Sequence, residues 1–362
     1  MSAVNLRPSF GIIMMCILVV GNLTVPFVWL GSRIYSRRPF PWNWIFFLPL
    51  QVILSFACAF GSVLLLQWTK DDPEPFWIIF RNFGPLIVIV VMTSSCVIFA
   101  LDRLREKNQA LEQKVEKGSF ALQQQEEELK RASEIQQLLL PNTLPQLPGV
   151  QVAGAWQPAK SVGGDYFDVL RLDENRLGLC IGDVAGKGIT AALLMANLQA
   201  SFRAFATVDA TPASVCSKLN TFLCSNVASG KFVTFFYAVL DAQKRTLSYE
   251  NAGHCPGFLI RSTGAVESLA GDGAVLGVFP DWTYQNFNVD LAPGDRLLLF
   301  TDGITEAENA RLEEFGENRL LQAARGSGES ALDIQRKIMQ QVSAFCAGNF
   351  RDDATLIVVA IQ

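Results

Sequence analysis

Four short stretches of the chain bring carboxylates to points where an apolar run gives way to small residues. The longest is Leu179-Cys180-Ile181-Gly182-Asp183-Val184-Ala185-Gly186-Lys187-Gly188. Its apolar half has strand character and delivers Asp183; its glycines let the backbone turn and come close to a bound ion or phosphate. The other three are Gly163-Gly164-Asp165-Tyr166-Phe167-Asp168, Thr301-Asp302-Gly303 and Asp352-Asp353-Ala354-Thr355. Carboxylates, backbone carbonyls and water are the ligands of hard cations such as Mg²⁺ and Mn²⁺. His254 is the single histidine, and no two of the eight cysteines show CxxC spacing, which argues against zinc, iron or a disulfide framework. Two metals held by shared carboxylates can clamp a phosphoryl group and activate water without a nucleophilic side chain. The chain has neither a G-x-S-x-G elbow nor a Walker-type phosphate loop.

These acids need rigid elements to hold them. From Val150 onward the pattern reads as strands over 150–157, 166–172, 176–181, 232–241, 246–252, 257–261, 284–290, 296–301 and 355–361. Helices are expected over 189–206, 212–225 and 330–347. Asp173-Glu174-Asn175 reads as a hairpin turn. Paired strands and paired helices imply an α+β domain of antiparallel sheets flanked by helices. About 220 residues suffice for one core.

The first part of the chain has a different character. Mean hydropathy over all 362 residues is +0.26, with the apolar excess before residue 101. Residues 10–30, 45–66 and 83–101 are each apolar for about one membrane thickness. Arg33, Arg37 and Arg38 follow the first run, an acidic link follows the second, and Asp102-Arg103-Leu104-Arg105-Glu106-Lys107 follows the third. Lys and Arg favour the cytoplasmic side, so the expectation is a three-span protein of the bacterial inner (cytoplasmic) membrane with its C-terminus in the cytoplasm. A net charge of −4 without a basic stripe excludes a nucleic-acid partner. Residues 102–139 read as one long helix continuing from the third run. A weak heptad seam places Leu101, Asn108, Val115, Leu122, Leu129 and Gln136 at a, and Leu104, Leu111, Gly118, Gln125, Ala132 and Leu139 at d, which suits a parallel homodimer. Pro141 stops the helix. The expected organisation is a membrane domain (1–101), a coiled-coil-like connector (102–140) and a catalytic domain (141–362).

From about Ala132 the chain resembles the SpoIIE/RsbU-type bacterial branch of the metal-dependent type 2C serine/threonine protein phosphatases. The resemblance rests on ordered motifs: Ile135-Gln136 through Leu140-Pro141, the four acidic stretches above, Asn251-Ala252-Gly253-His254, Leu276-Gly277, and Thr301 extended through Ala307. It implies an αββα four-layer sandwich and two Mn²⁺ or Mg²⁺ ions. By position, Asp183 and the Val184 carbonyl hold metal, Asp302 and Asp352 hold the second ion, and Asp165 acts directly or through water. Gly164, Asp168 and Asp353 are supporting positions. Catalysis would run through metal-activated water, with Asp183, Asp302 and Asp352 as the key acids. The implied substrate is a phosphoserine or phosphothreonine protein, typically a STAS-type anti-sigma-factor antagonist. Two rivals differ in class. A diguanylate cyclase is suggested by Gly163-Gly164-Asp165-Tyr166-Phe167, but its last acidic position is missing. The other is a catalytically inactive phosphatase-like binding module.

Overall fold

The computed structural model describes residues 76–226, 230–325 and 330–362, with scattered positions between 49 and 61. The chain divides into two units, Met1–Ala121 and Leu122–Gln362. Helix α1 (Phe76–Leu139) crosses that division as one helix. It includes residues 83–101, the third apolar run. Residues 10–30 and most of 45–66 lie outside the described residues. Among the described residues no helix is long and apolar enough to cross a membrane.

The C-terminal unit contains two five-stranded antiparallel sheets. One has the order β1 (Val150–Gln157), β10 (Ala354–Ile361), β9 (Arg296–Phe300), β6 (Gly257–Ile260), β7 (Val266–Leu269). The other has the order β2 (Tyr166–Arg171), β3 (Arg176–Val184), β4 (Val233–Asp241), β5 (Thr246–Ala252), β8 (Phe287–Asp290). Helices α2 (Ile189–Phe205) and α3 (Pro212–Asn226) cover the second sheet. Helix α6 (Ala331–Phe345) covers the first, with α5 (Gly316–Ala324) against it. A four-residue helix, α4 (Asp302–Thr305), follows β9. This is the expected αββα sandwich.

The central strands are apolar at most positions because both their faces are largely buried. Along β10, Ile357, Val359 and Ile361 enter the core between the sheets, while Leu356, Val358 and Ala360 enter the core beneath α5 and α6. The period-two alternation thus sorts residues between two cores rather than between core and water. On the other side, Phe202 of α2 is fully buried and meets the rings of Tyr166, Phe235 and Tyr237 edge-on at 5.1–6.1 Å. Helix α6 begins at a reciprocal cap in which Ser330 and Asp333 each bond the other's backbone N–H.

Several elements differ from the sequence expectation. The strand expected over 284–290 begins at Phe287, because the Gln285 N–H donates to the Glu250 carboxylate at 2.8 Å instead of to a ladder. Strand β7 and helix α5 have no counterpart in the sequence expectation. Strand β7 is a four-residue edge strand with two exposed positions, and α5 buries only Leu320, Ala323 and Ala324. Gln136, given a seam position in the heptads, is instead buried in the C-terminal unit at 3% exposure.

Phe202→Ala removes the ring that ties α2 to β2 and β4. It should lower the unfolding free energy of the C-terminal unit by about 3–5 kcal/mol in urea titrations. A loss under about 1 kcal/mol would show that α2 is not held by this contact.

Candidate metal centre

The acids predicted to act together come from both sheets. Asp165 stands immediately before β2 and Asp183 near the end of β3, in one sheet. Asp302 follows β9, and Asp352 and Asp353 precede β10, in the other. Asp165 joins the two. Its carboxylate is 1% exposed and accepts from Thr301 Oγ1 at 2.8 Å and Thr355 Oγ1 at 2.5 Å. The two threonines are also bonded to each other through backbone N–H groups.

Asp353 organises the loop. It accepts from the Ala159 N–H at 2.8 Å and the Gly164 N–H at 2.6 Å, so each oxygen is already engaged by backbone. Close packing explains the glycines. A side chain at Gly164 would come within 3.0 Å of the Val184 carbonyl and 3.4 Å of Asp183 Oδ1. Gly164, the Val184 carbonyl and the Asp183 carboxylate therefore form one ledge. At Gly303 a side chain would collide with the Asp353 carbonyl.

The charge on this cluster is largely uncompensated. Burial, then repulsion from Asp302, Asp352 and Asp353, pushes Asp183 up from 3.8 to about 7. Burial and the Asp183 charge raise Asp165 well above its ordinary value. Burial and Asp352 raise Asp302, and burial raises Asp353. The nearest cation is Lys187, whose Nζ lies 2.8 Å from Asp352 Oδ2 and donates to the Arg351 carbonyl at 3.0 Å. Lys187 is half exposed, so solvent screens this pair.

Two residues named from the sequence stand apart. Asp168 is fully buried, but it accepts from Tyr166 Oη at 2.8 Å, Arg203 Nε at 2.7 Å and the Val169 N–H. It ties β2 to α2 and is not brought into the acid cluster. His254 sits between Thr234 Oγ1 and the Phe300 carbonyl, and burial lowers its pKa to about 4. It is a neutral structural histidine. Thr301 and Thr355 received no role from the sequence, although both lie inside the acidic motifs.

The donor set suits a hard divalent cation: carboxylates with an adjacent backbone carbonyl, and the lone histidine engaged elsewhere. Among the described residues no group of three or more Asp, Glu, His or Cys side chains is gathered tightly enough to enclose an ion. The acids nonetheless stand near enough to raise one another's pKa, and a bound cation would relieve that repulsion.

The family model for Stage II sporulation protein E (SpoIIE) matches residues 173–362, just over half of the chain. The chain belongs to the SpoIIE family. It is 33% identical over 235 residues to phosphoserine phosphatase RsbU of Bacillus subtilis, a match covering 64% of this chain and 69% of RsbU. It is 31% identical over 261 residues to protein IcfG of Synechocystis, covering 64% of this chain and 41% of IcfG. The chain thus spans well under half the length of IcfG. Among solved structures, the SiaA-PP2C domain of Pseudomonas aeruginosa aligns with a TM-score of 0.59 at 23% identity, covering 67% of this chain and 99% of that domain. That likeness establishes the PP2C-type fold.

The raised carboxylates make a signed prediction. Asp183 titrates near 3.8 when unfolded and about 7 when folded, so the folded state holds the extra proton between those values. Stability of the cation-free protein from this source therefore falls as pH rises from about 4 to about 7. His254, lowered to about 4, works in the opposite direction over that range. Mn²⁺ isolates the carboxylate part: the gain in Tm on adding Mn²⁺ should be larger at pH 7 than at pH 5. An equal gain at both would show that the cation does not act on these acids.

Proposed function

We propose that the C-terminal unit is a metal-dependent protein phosphatase acting on phosphoserine or phosphothreonine in a signalling protein. The observation that carries this reading is the convergence of Asp165, Asp183, Asp302 and Asp352 from two sheets, in a cluster where burial and neighbouring carboxylates hold Asp165, Asp183 and Asp302 above their ordinary pKa. Membership in the SpoIIE family and the similarity to the phosphoserine phosphatase RsbU support the same reaction class. In this reading Asp183, the Val184 carbonyl, Asp302 and Asp352 hold two Mn²⁺ or Mg²⁺ ions, with Asp165 beside them. When bound, such ions supply activated water and neutralise charge on the phosphoryl group.

The protein's own residues do the rest. Asp353 fixes the backbone at Ala159 and Gly164 by accepting from both N–H groups. Thr301 and Thr355 orient Asp165. Lys187 reaches the exposed side of Asp352 and brings positive charge to the mouth of the cluster, where an anionic phosphate would approach. Burial of Asp165 keeps bulk water from its carboxylate.

The finer assignments complete the proposal. The substrate is a phosphorylated STAS-type anti-sigma-factor antagonist, as the resemblance of the motifs implies. Attachment to the bacterial inner membrane rests on the apolar runs before residue 101. Dimerisation through α1 rests on Leu104, Leu111, Val115 and Leu122, apolar at seam positions and 57–70% exposed.

Hydrolysis of p-nitrophenyl phosphate with Mn²⁺ tests the reaction class. Asp183→Asn should reduce turnover by about 100-fold or more while the circular dichroism spectrum stays unchanged. Wild-type turnover by that variant would overturn the assignment, and a folded, Mn²⁺-loaded wild type without turnover would favour a binding module. Cysteines introduced at Leu111 and Val115 should form crosslinked dimers; absence of a crosslink at both would exclude the seam.

A further inference from the structure

The last turns of α1 bury the wrong residue for a simple hydrophobic dock. Ile135 and Leu138 are 63% and 74% exposed, while Gln136 between them is 3% exposed. Burying a carboxamide costs free energy unless its donor and acceptor are both satisfied. Both are satisfied here, and by a single residue. Gln136 Nε2 donates to the Gly163 carbonyl at 2.7 Å, and the Gly163 N–H donates to Gln136 Oε1 at 3.0 Å. The side chain thus pairs with one peptide residue as a neighbouring strand would.

Gly163 begins the segment that carries Asp165. Each of its three residues has a separate anchor: Gly163 to Gln136, Gly164 to Asp353, and Asp165 to Thr301 and Thr355. Gly163 can take no side chain, because one would run into the Asp353 carboxylate. Gly164 lies directly against the Val184 carbonyl and Asp183. A shift at Gly163 therefore carries Gly164 into or away from the ledge. A second bond links the same helix end to the body of α2: Gln199 donates to the Leu139 carbonyl at 3.3 Å.

We infer that Gln136 is a positioning residue for the metal centre, setting through its paired bonds to Gly163 where the Gly164–Asp165 backbone sits against Asp183 and Val184. This rests on the metal reading above. It differs from a purely structural dock in what it controls: affinity for the cation, and not merely the stability of the fold. It also gives a role to the buried glutamine that a coiled-coil seam leaves unexplained.

Calorimetric titration of the full chain with Mn²⁺, well below its melting temperature, separates the two. Gln136→Met keeps length and removes both bonds; Mn²⁺ should bind it about 10–100-fold more weakly than the wild type. Gln136→Glu retains an acceptor for the Gly163 N–H but opposes the Gly163 carbonyl, and should also weaken Mn²⁺ binding. A folded Gln136→Met chain that binds Mn²⁺ within twofold of wild type would overturn the inference. Should neither variant fold, hydrogen exchange in the wild type decides: the Gly163 amide should exchange as slowly as the β2–β3 ladder, and exchange at loop rates would overturn the clamp. A wild type that binds no Mn²⁺ refutes this inference with the metal reading. A wild type that binds Mn²⁺ but hydrolyses no phosphate ester refutes the phosphatase reading alone and leaves Gln136 tested on binding.

Discussion

The carboxylate of Asp165 is the point on which the site depends. It belongs to one sheet and takes its hydrogen bonds from Thr301 and Thr355 of the other. Burying an ionised or protonated acid in a protein core is expensive unless its oxygens are engaged. The two hydroxyls both donate to Oδ2 and, in doing so, pin the ends of both sheets together. Asp302, beside Thr301, and Asp352 and Asp353, just before Thr355, are then delivered opposite Asp183 as a consequence of chain connectivity. The αββα architecture matters to function mainly because it brings two sets of strand ends to one place.

Two groups of buried acids in the same domain show what distinguishes a structural from a functional arrangement. Asp168 is neutralised by Arg203 and further bonded by Tyr166 and the Val169 N–H. Its arrangement is complete within the chain. Asp183, Asp165 and Asp302 are raised by burial and by neighbouring carboxylates, and the cation paired with the cluster is the half-exposed Lys187 ammonium on Asp352. Carboxylates held in mutual repulsion at the junction of two sheets lower the stability of the chain by themselves, and a divalent cation reverses that. Such an uncompensated cluster is the physical mark of a binding site.

Much of this was legible in the sequence. Apolar runs such as Leu356-Ile357-Val358-Val359 announce strands buried on both faces, and Asp beside Gly at strand ends locates the acids. Elements with little burial were not legible: β7 has two exposed positions among four, and α5 buries three residues. The threonine hydroxyls were missed because a threonine has no spacing signature; their function exists only once the two sheets face each other. Asp168 shows the converse. It shares a motif with Asp165, but it lies within β2 on the face that meets α2, and strand alternation carries it away from the cluster. Gln136 falls on the heptad seam because periodicity along a helix says nothing about a partner 27 residues later.

The most direct test of the central claim is anomalous diffraction from crystals of the protein grown with Mn²⁺. Peaks should lie beside the Asp183 carboxylate and the Val184 carbonyl, with Asp302 and Asp352 turned toward them. Ordered crystals at saturating Mn²⁺ with no peak in this cluster, or with the ion bound elsewhere and the acids undisturbed, would contradict the account.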